Sequence, residues 1–211
     1  MNGHQGRKVE ESDAPLAAGD PSDWLREHGD VLYRYARSQV GHRELAEDLV
    51  QETLLAAIRS HDRFAGRATI RTWLLSILRH KIVDHRRRTR SSASSIEAES
   101  AVSAEPVSAR FFSGKGLWKT SLASWKAPEH PLEEREFWDV LDGCLDRLPP
   151  SLSAVFILRE LEEMATAELL RALELSEVNL RVRLHRARLL LRECLEKHWF
   201  IETRDGTRNS P

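Results

Sequence analysis

The sequence predicts an all-α chain: two small helical domains joined by a flexible linker. Three observations carry that reading. Apolar residues recur at three-and-four spacing through two long stretches, no segment alternates convincingly with period two, and a serine-rich run with almost nothing to bury separates the stretches. The 211 residues suffice for one or two buried cores. With 41% hydrophobic and 31% charged residues, collagenous, mucin-like and wholly disordered classes are excluded. No apolar run approaches the ~18 residues of a membrane span, and the opening MNGHQGRKVEESD lacks a signal-peptide core. Cys144 and Cys194 share no metal spacing and form no framework, so the expectation is a cytoplasmic protein with reduced thiols, no bound metal, no cofactor and no membrane insertion.

Residues 1–20 are polar and aperiodic, and read as a tail. The first domain is assigned to residues 21–90. Its first helix carries the stripe Val31, Leu32, Tyr35 and Ala36 and stops at Gly41. The second has Ala46, Leu49, Val50, Thr53, Leu54, Ala57 and Ile58 as its apolar face. A loop from Phe64 to Thr69, containing Gly66, leads to a third helix with Ile70, Trp73, Leu74, Ile77, Leu78 and Ile82 inward. Trp73 lies on that stripe and reads as core.

Residues 91–132 form the linker. Its first part, 91–108, holds seven serines and three glutamates. The continuation places Phe111, Phe112, Trp118 and Trp125 among glycines and prolines, which reads either as a satellite patch on one domain or as an aromatic segment docking on a partner. The second domain, 133–200, opens with the stripe Phe137, Trp138, Leu141, Leu145 and Leu148, stopped by Pro149-Pro150. SLSAVFILRELEE is the next helix and Thr166 to Leu173 a short one. Ser176 is a good N-cap for a long last helix with the stripe Leu180, Leu184, Ala187, Leu191 and Leu195. Residues 201–211 read as a second tail.

Arginine supplies 26 of the 32 basic residues, a bias that suits phosphate and base contacts, although a GC-rich genome also produces it. The net charge of −1 conceals strong segregation. Residues 79–90 carry six Arg or Lys and one acid, and residues 181–192 five arginines and no acid, a net of +5 each. Residues 44–52 carry four acids and no base, and residues 129–142 six acids against Arg135. Two basic patches on separate helical units look like two phosphate-tracking surfaces. Thr166–Leu173, a tight turn at Glu174-Leu175 and the helix after Ser176 have the length and order of a helix-turn-helix. At 100° per residue, Val178, Asn179, Val182, His185 and Arg186 oppose the apolar stripe, flanked by Arg181 and Arg183. Glu174 stands where such turns favour glycine.

The segments AEDLVQETLLAAI, FAGRATIRTWLLSILRHKIVDHRRR, LDRLPPSLSAVFILRELEE and LSEVNLRVRLHRARLLLRECL, in this order, resemble a bacterial RNA polymerase sigma factor of the sigma-70 family. The similarity is to the short extracytoplasmic-function (ECF) class, which keeps only regions 2 and 4, and covers about residues 22–90 and 133–198. The resemblance implies a non-enzymatic promoter-specificity subunit that binds core polymerase, opens the promoter and initiates transcription of a stress or envelope-type regulon. DLVQET matches the segment that holds the clamp helices of the largest subunit, which implies Asp48, Gln51 and Glu52 as contacts; region 4 would meet the polymerase flap. The loop and third helix match the minus-ten reader. They imply Phe64, Gly66, Arg67, Arg71, Arg79, His80, Lys81, Arg86, Arg87 and Arg88 as contacts to melted non-template strand, with the loop capturing a flipped base. The helix-turn-helix would read the minus-thirty-five element as duplex, through Ser176, Asn179, Arg181, Val182, Arg183, His185 and Arg186. An anti-sigma factor, in many cases a zinc protein, is the implied regulator.

Three features depart from the common pattern: the aromatic linker stretch, Met164-Ala165-Thr166 in place of the commoner Leu-Ser, and Asn179-Leu180 in place of a frequent Thr-Val. In the family the linker threads toward the RNA exit path, so the aromatic stretch either docks there or marks a subgroup. The competing reading is a free-standing helix-turn-helix regulator acting without polymerase. Such a protein needs no acidic DLVQET face and ordinarily dimerises on a palindrome. An enzymatic reading finds no HExxH, P-loop or nucleophile elbow, and His80 and His85 do not share a helix face.

Overall fold

The computed structural model of the chain describes residues 19–92 and 131–200. Among these residues every regular element is helical. Three long helices make the first half: α1 (Trp24–Val40), α2 (Arg43–Arg59) and α3 (Ile70–Ser92). The second half holds α4 (Pro131–Asp146), α5 (Pro150–Phe156), α6 (Thr166–Leu173) and α7 (Glu177–Leu195). The aromatic stretch Phe111–Trp125 and both tails lie outside the described residues.

Local chemistry sets the helix ends. Gly41 takes φ +73° after α1, and its amide donates to the Arg37 carbonyl, which closes the helix in a left-handed cap that glycine adopts without a Cβ clash. Pro150 begins α5, where its missing amide costs nothing and its fixed φ suits the first turn. The sequence predicts one helix through SLSAVFILRELEE; the α-helix ends at Phe156 and continues as a π-turn over Ile157–Leu161. Ser176 caps α7 by accepting the Asn179 amide at 3.3 Å. Ser176→Ala should therefore lower stability by about 1 kcal/mol, read as a shifted urea midpoint with unchanged slope.

The stripes of α1 and α7 are buried as the spacing predicts. Four positions differ from expectation. Ile58 faces solvent at 50% exposure, because α2 packs through Ala46, Leu49, Val50, Thr53 and Ala57. Trp138 is also largely exposed and lies off the α4 stripe that Leu141 and Leu145 bury. In α3, Leu75 and Thr72 are buried although they fall outside the predicted stripe. The reason is a second packing surface. Arg71, Leu75 and Arg79 are four residues apart and share one face; both arginines on that face reach acids at or beside α6.

The two halves are thus packed together. One apolar cluster runs from Leu32, Leu74 and Leu78 into Val155, Leu158, Met164, Leu169 and Ala172. Polar ties line the seam: Arg34 with Glu162 at 2.8 Å, Arg37 with Asp146 at 3.0 Å, and Gln39 Nε2 donating to the Pro150 carbonyl at 2.7 Å. These ion pairs are partly exposed and contribute little each, so the apolar seam holds the arrangement. A separate cluster centred on Leu145, Leu152, Ile157, Leu191 and Leu195 packs α4 and α5 on α7.

That second cluster corrects the expectation for the cysteines. Cys144 and Cys194 form a disulfide, with Cα atoms 5.8 Å apart. Fifty residues separate them in sequence, and only the packing of α4 on α7 brings them together. No spacing rule reports such a long-range pair.

Candidate nucleic-acid interface

Three surfaces carry the residues singled out by sequence. On α2, Asp48, Gln51 and Glu52 lie one helical turn apart and all are exposed. Glu52 accepts from Lys81 Nζ at 3.1 Å, whereas Asp48 has no ion-pair partner among the described residues. Leu55 and Ile58 follow Asp48 and Gln51 by seven residues each, so they extend the same face, at 53% and 50% exposure. Sequence reasoning missed both: it put Ile58 in the core and gave Leu55 no role. Leu55 was detectable as an apolar residue off the stripe. The face combines acids with two exposed aliphatic side chains, the composition of a protein-docking surface rather than of a solvated helix flank.

The second surface is the loop before α3 and α3 itself. Phe64 packs against Trp73 with ring centroids 5.2 Å apart, and Trp73 meets Trp24 edge-on at 5.9 Å. Trp73 is half-buried against the core, as its place on the stripe predicts. Gly66 adopts φ +65°, which lets the loop turn sharply, and exposed Arg67 follows it.

The basic residues of α3 point four ways. Arg71 reaches the second half, with Nη1 donating to the Glu162 carbonyl at 3.3 Å and Nη2 3.6 Å from Glu168. Arg79 pairs with Glu174 at 2.7 Å and holds that carboxyl below its ordinary range, chiefly through its hydrogen bond. Lys81 turns to Glu52 on α2, and Arg86 donates to the Gln39 carbonyl at 2.8 Å. His80, Arg87 and Arg88 face outward, with His80 Nδ1 2.7 Å from the Ser76 carbonyl. In this arrangement the second half covers the Arg71 and Arg79 side of α3, while His80 and Arg87 stay exposed.

The third surface is the N-terminal half of α7. Glu174 does take the left-handed conformation that the tight turn requires, at φ +52°, and Leu175 leads to the Ser176 cap. Val178, Asn179, Val182 and His185 are exposed, with Val178 at 70%. Arg181 pairs with Glu177 one turn earlier. Arg188 and Arg192 are tied to Glu160 and Glu196. Among the described residues Arg183, His185 and Arg186 carry no ion pair, so these basic side chains remain for an incoming anion. Ser176 spends its hydroxyl on the cap.

A cleft of about 730 Å³ opens between α1 and the α4–α5 side, lined by Asp30, Tyr33, Arg34, Arg37, Trp138 and Asp142. Burial raises the Asp142 carboxyl above its ordinary range. Among the described residues no group of three or more His, Cys, Asp or Glu side chains could hold a metal ion, and no helix is long and apolar enough to cross a membrane.

Comparison with known proteins gives one answer. The Sigma-70 region 2 family model matches residues 24–92, and the Sigma-70 region 4 model matches residues 138–191. A Haemophilus influenzae protein described as a probable RNA polymerase sigma factor is 34% identical over 168 residues, covering 79% of this chain and 84% of that protein. The ECF RNA polymerase sigma factor SigE of Mycolicibacterium smegmatis is 30% identical over 204 residues, covering 90% of this chain and 72% of the relative. Among solved structures, the sigma factor RpoE in complex with the anti-sigma factor NepR from Bartonella quintana shares the fold with a TM-score of 0.55 at 22% identity, over 84% of this chain and 97% of that one. CnrH in complex with the cytosolic domain of CnrY matches with a TM-score of 0.53 over 86% of this chain and 93% of that one, also at 22% identity. The two matched regions occupy the two helical halves in order, and the chain belongs to the sigma-70 family of RNA polymerase sigma factors, in its extracytoplasmic-function class.

Proposed function

We propose that this chain is a promoter-specificity subunit that acts in the cytoplasm by giving core RNA polymerase its minus-thirty-five and minus-ten recognition. The observation that carries the reading is the α2 face: Asp48, Gln51 and Glu52 beside exposed Leu55 and Ile58. A free-standing helix-turn-helix regulator has no use for a second, acidic and apolar, docking surface. On the polymerase this face meets the basic clamp helices of the largest subunit, and the second half reaches the flap.

In the assembled complex the loop from Phe64 to Thr69 captures one unstacked base of the non-template strand, and α3 tracks its backbone. The N-terminal half of α7 enters the major groove of the minus-thirty-five duplex, where Asn179 and Val182 face base edges and Arg183, His185 and Arg186 face phosphates or guanine. Arg183→Ala should weaken this duplex contact and reduce the slope of log K against log salt by about one contact's worth. Affinity measured from 50 to 200 mM salt checks it; an unchanged slope removes Arg183 from the contact set.

The packed arrangement is the resting form, because it engages Arg71 and Arg79 internally. Separation of the halves accompanies polymerase binding and frees both arginines for strand contact. An anti-sigma factor inserted in the cleft beside Arg34, Arg37 and Asp142 would hold the resting form. The neighbouring folds, solved with an anti-sigma factor and with CnrY, support that assignment. The regulon is of the stress or envelope type. A pull-down of the purified chain on core polymerase, with and without promoter DNA, tests the reading: capture without DNA supports the sigma role, and capture of operator DNA alone supports the free-standing regulator.

A further inference from the structure

The disulfide plays no part in the contacts assigned above, yet its surroundings differ on its two sides. Cys144, at 1% exposure, sits among Leu141, Leu145, Leu148 and Leu191 in the second apolar cluster. Cys194, in the last turn of α7, is partly exposed and lies 3.6 Å from Nη1 of exposed Arg147. A guanidinium beside a sulfur favours its anionic form, the form that attacks and leaves in thiol–disulfide exchange. Residue 146, next to Arg147, is Asp146, which ties the end of α4 to Arg37 of α1. The last turn of α4 therefore carries Cys144 and the Asp146 tie between the two halves, and Arg147, the residue just after α4, is the cation beside Cys194.

We infer that Cys144 and Cys194 are a reversible dithiol–disulfide couple, with Cys194 as the entry sulfur, and that oxidation steadies the packed arrangement of the two halves. For a chain acting on the chromosome, which rests on the function proposed above, a disulfide is a transient, sensing bond rather than a permanent staple. Oxidation proceeds by exchange with a low-molecular-weight disulfide. The Cys194 thiolate attacks one of its sulfurs, forms a mixed disulfide and releases one thiolate. Cys144, giving up its proton, then attacks the Cys194 sulfur, forms the protein disulfide and expels the second thiolate. Two protein thiols are oxidised, one small disulfide is reduced to two thiols, and the two protein protons end on those thiols. With the bond formed, the last turn of α4 is fixed on α7 and Asp146 is held in place for Arg37; with the bond broken, that turn loosens.

The test uses the full-length chain, reduced, freed of reductant and exposed to oxidised glutathione. Mass spectrometry should show an intramolecular disulfide without retained glutathione. Cys144→Ser should trap glutathione on residue 194, Cys194→Ser should leave Cys144 unmodified while folded, and Arg147→Gln should slow the first step several-fold in folded protein but not in urea. Inert thiols in the folded chain, or Cys144 reacting as fast as Cys194, overturn the couple. Small-angle scattering over a series of urea concentrations at which the helices stay folded tests its consequence without polymerase: the oxidised chain should stay compact to higher urea than the reduced chain. Superimposable series overturn the link to packing, and neither arm depends on the chain being a sigma subunit.

Discussion

Asp48→Arg should lower affinity for core polymerase by a factor on the order of 100, while binding of a minus-thirty-five duplex stays at its original strength. Asp48 stands exposed with no ion-pair partner among the described residues, so reversal of its charge leaves the fold intact. It lies one helical turn from Glu52 and seven residues before Leu55, at the centre of the proposed docking face. A carboxylate facing basic residues across a desolvated interface, replaced by a guanidinium, loses an attraction and gains a repulsion. Together these cost about 3 kcal/mol or more, which is the hundredfold change. The variant separates the two readings of the chain, since a free-standing regulator would show no defect. Fluorescence anisotropy of labelled protein against core polymerase measures the effect, and unchanged affinity would remove α2 from the interface.

Leu75→Glu should separate the two halves while both remain helical. Leu75 is fully buried, yet it sits off the stripe that packs α3 within the first half. It shares its face with Arg71 and Arg79, whose partners Glu162, Glu168 and Glu174 surround α6. A carboxylate placed there is desolvated among the apolar side chains of the seam, which costs several kcal/mol when buried. Separation relieves that cost at once, because the residue then faces water. The expected signature is a larger radius of gyration with little change in helical circular dichroism. Since opening frees Arg71 and Arg79, the variant should also bind minus-ten single strand more tightly than the parent. Loss of helicity at the same concentration would mean that Leu75 serves the core of the first half, and would contradict the resting form described here.

Much of this architecture is legible in the sequence for a simple reason. Each half is built from amphipathic helices whose inward stripes are set by local periodicity, so Val31, Leu32, Tyr35 and Ala36, or Leu180, Leu184, Ala187 and Leu191, announce themselves. End signals are equally local: Gly41 and Ser176 act where they stand. Most of the unreadable features depend on contacts between distant segments. Leu75 looks like a stray apolar residue until α6 covers it. Cys144 and Cys194 look unrelated until α4 lies on α7. The internal pairing of Arg71, Arg79 and Lys81 has the same origin. From sequence alone the +5 block of residues 79–90 reads as one surface; folded, it divides among α6, α2, the end of α1 and solvent. Ile58 fails differently, because an apolar residue at stripe spacing was assigned inward although the helix's packing arc stops short of it. Its exposure, with that of Leu55, supplies the apolar part of the proposed docking face.

If the chain gives core polymerase its promoter choice, it should set where transcripts start. Core polymerase, mixed with the purified chain and fragmented genomic DNA of the source organism, is allowed to initiate, and the transcript starts are sequenced. The starts should share a pair of upstream elements at fixed separation, lost with Asp48→Arg and redistributed when Asn179 is replaced. Starts scattered at fragment ends and nicks, the same with the chain as without it, would rule out a promoter-specificity role.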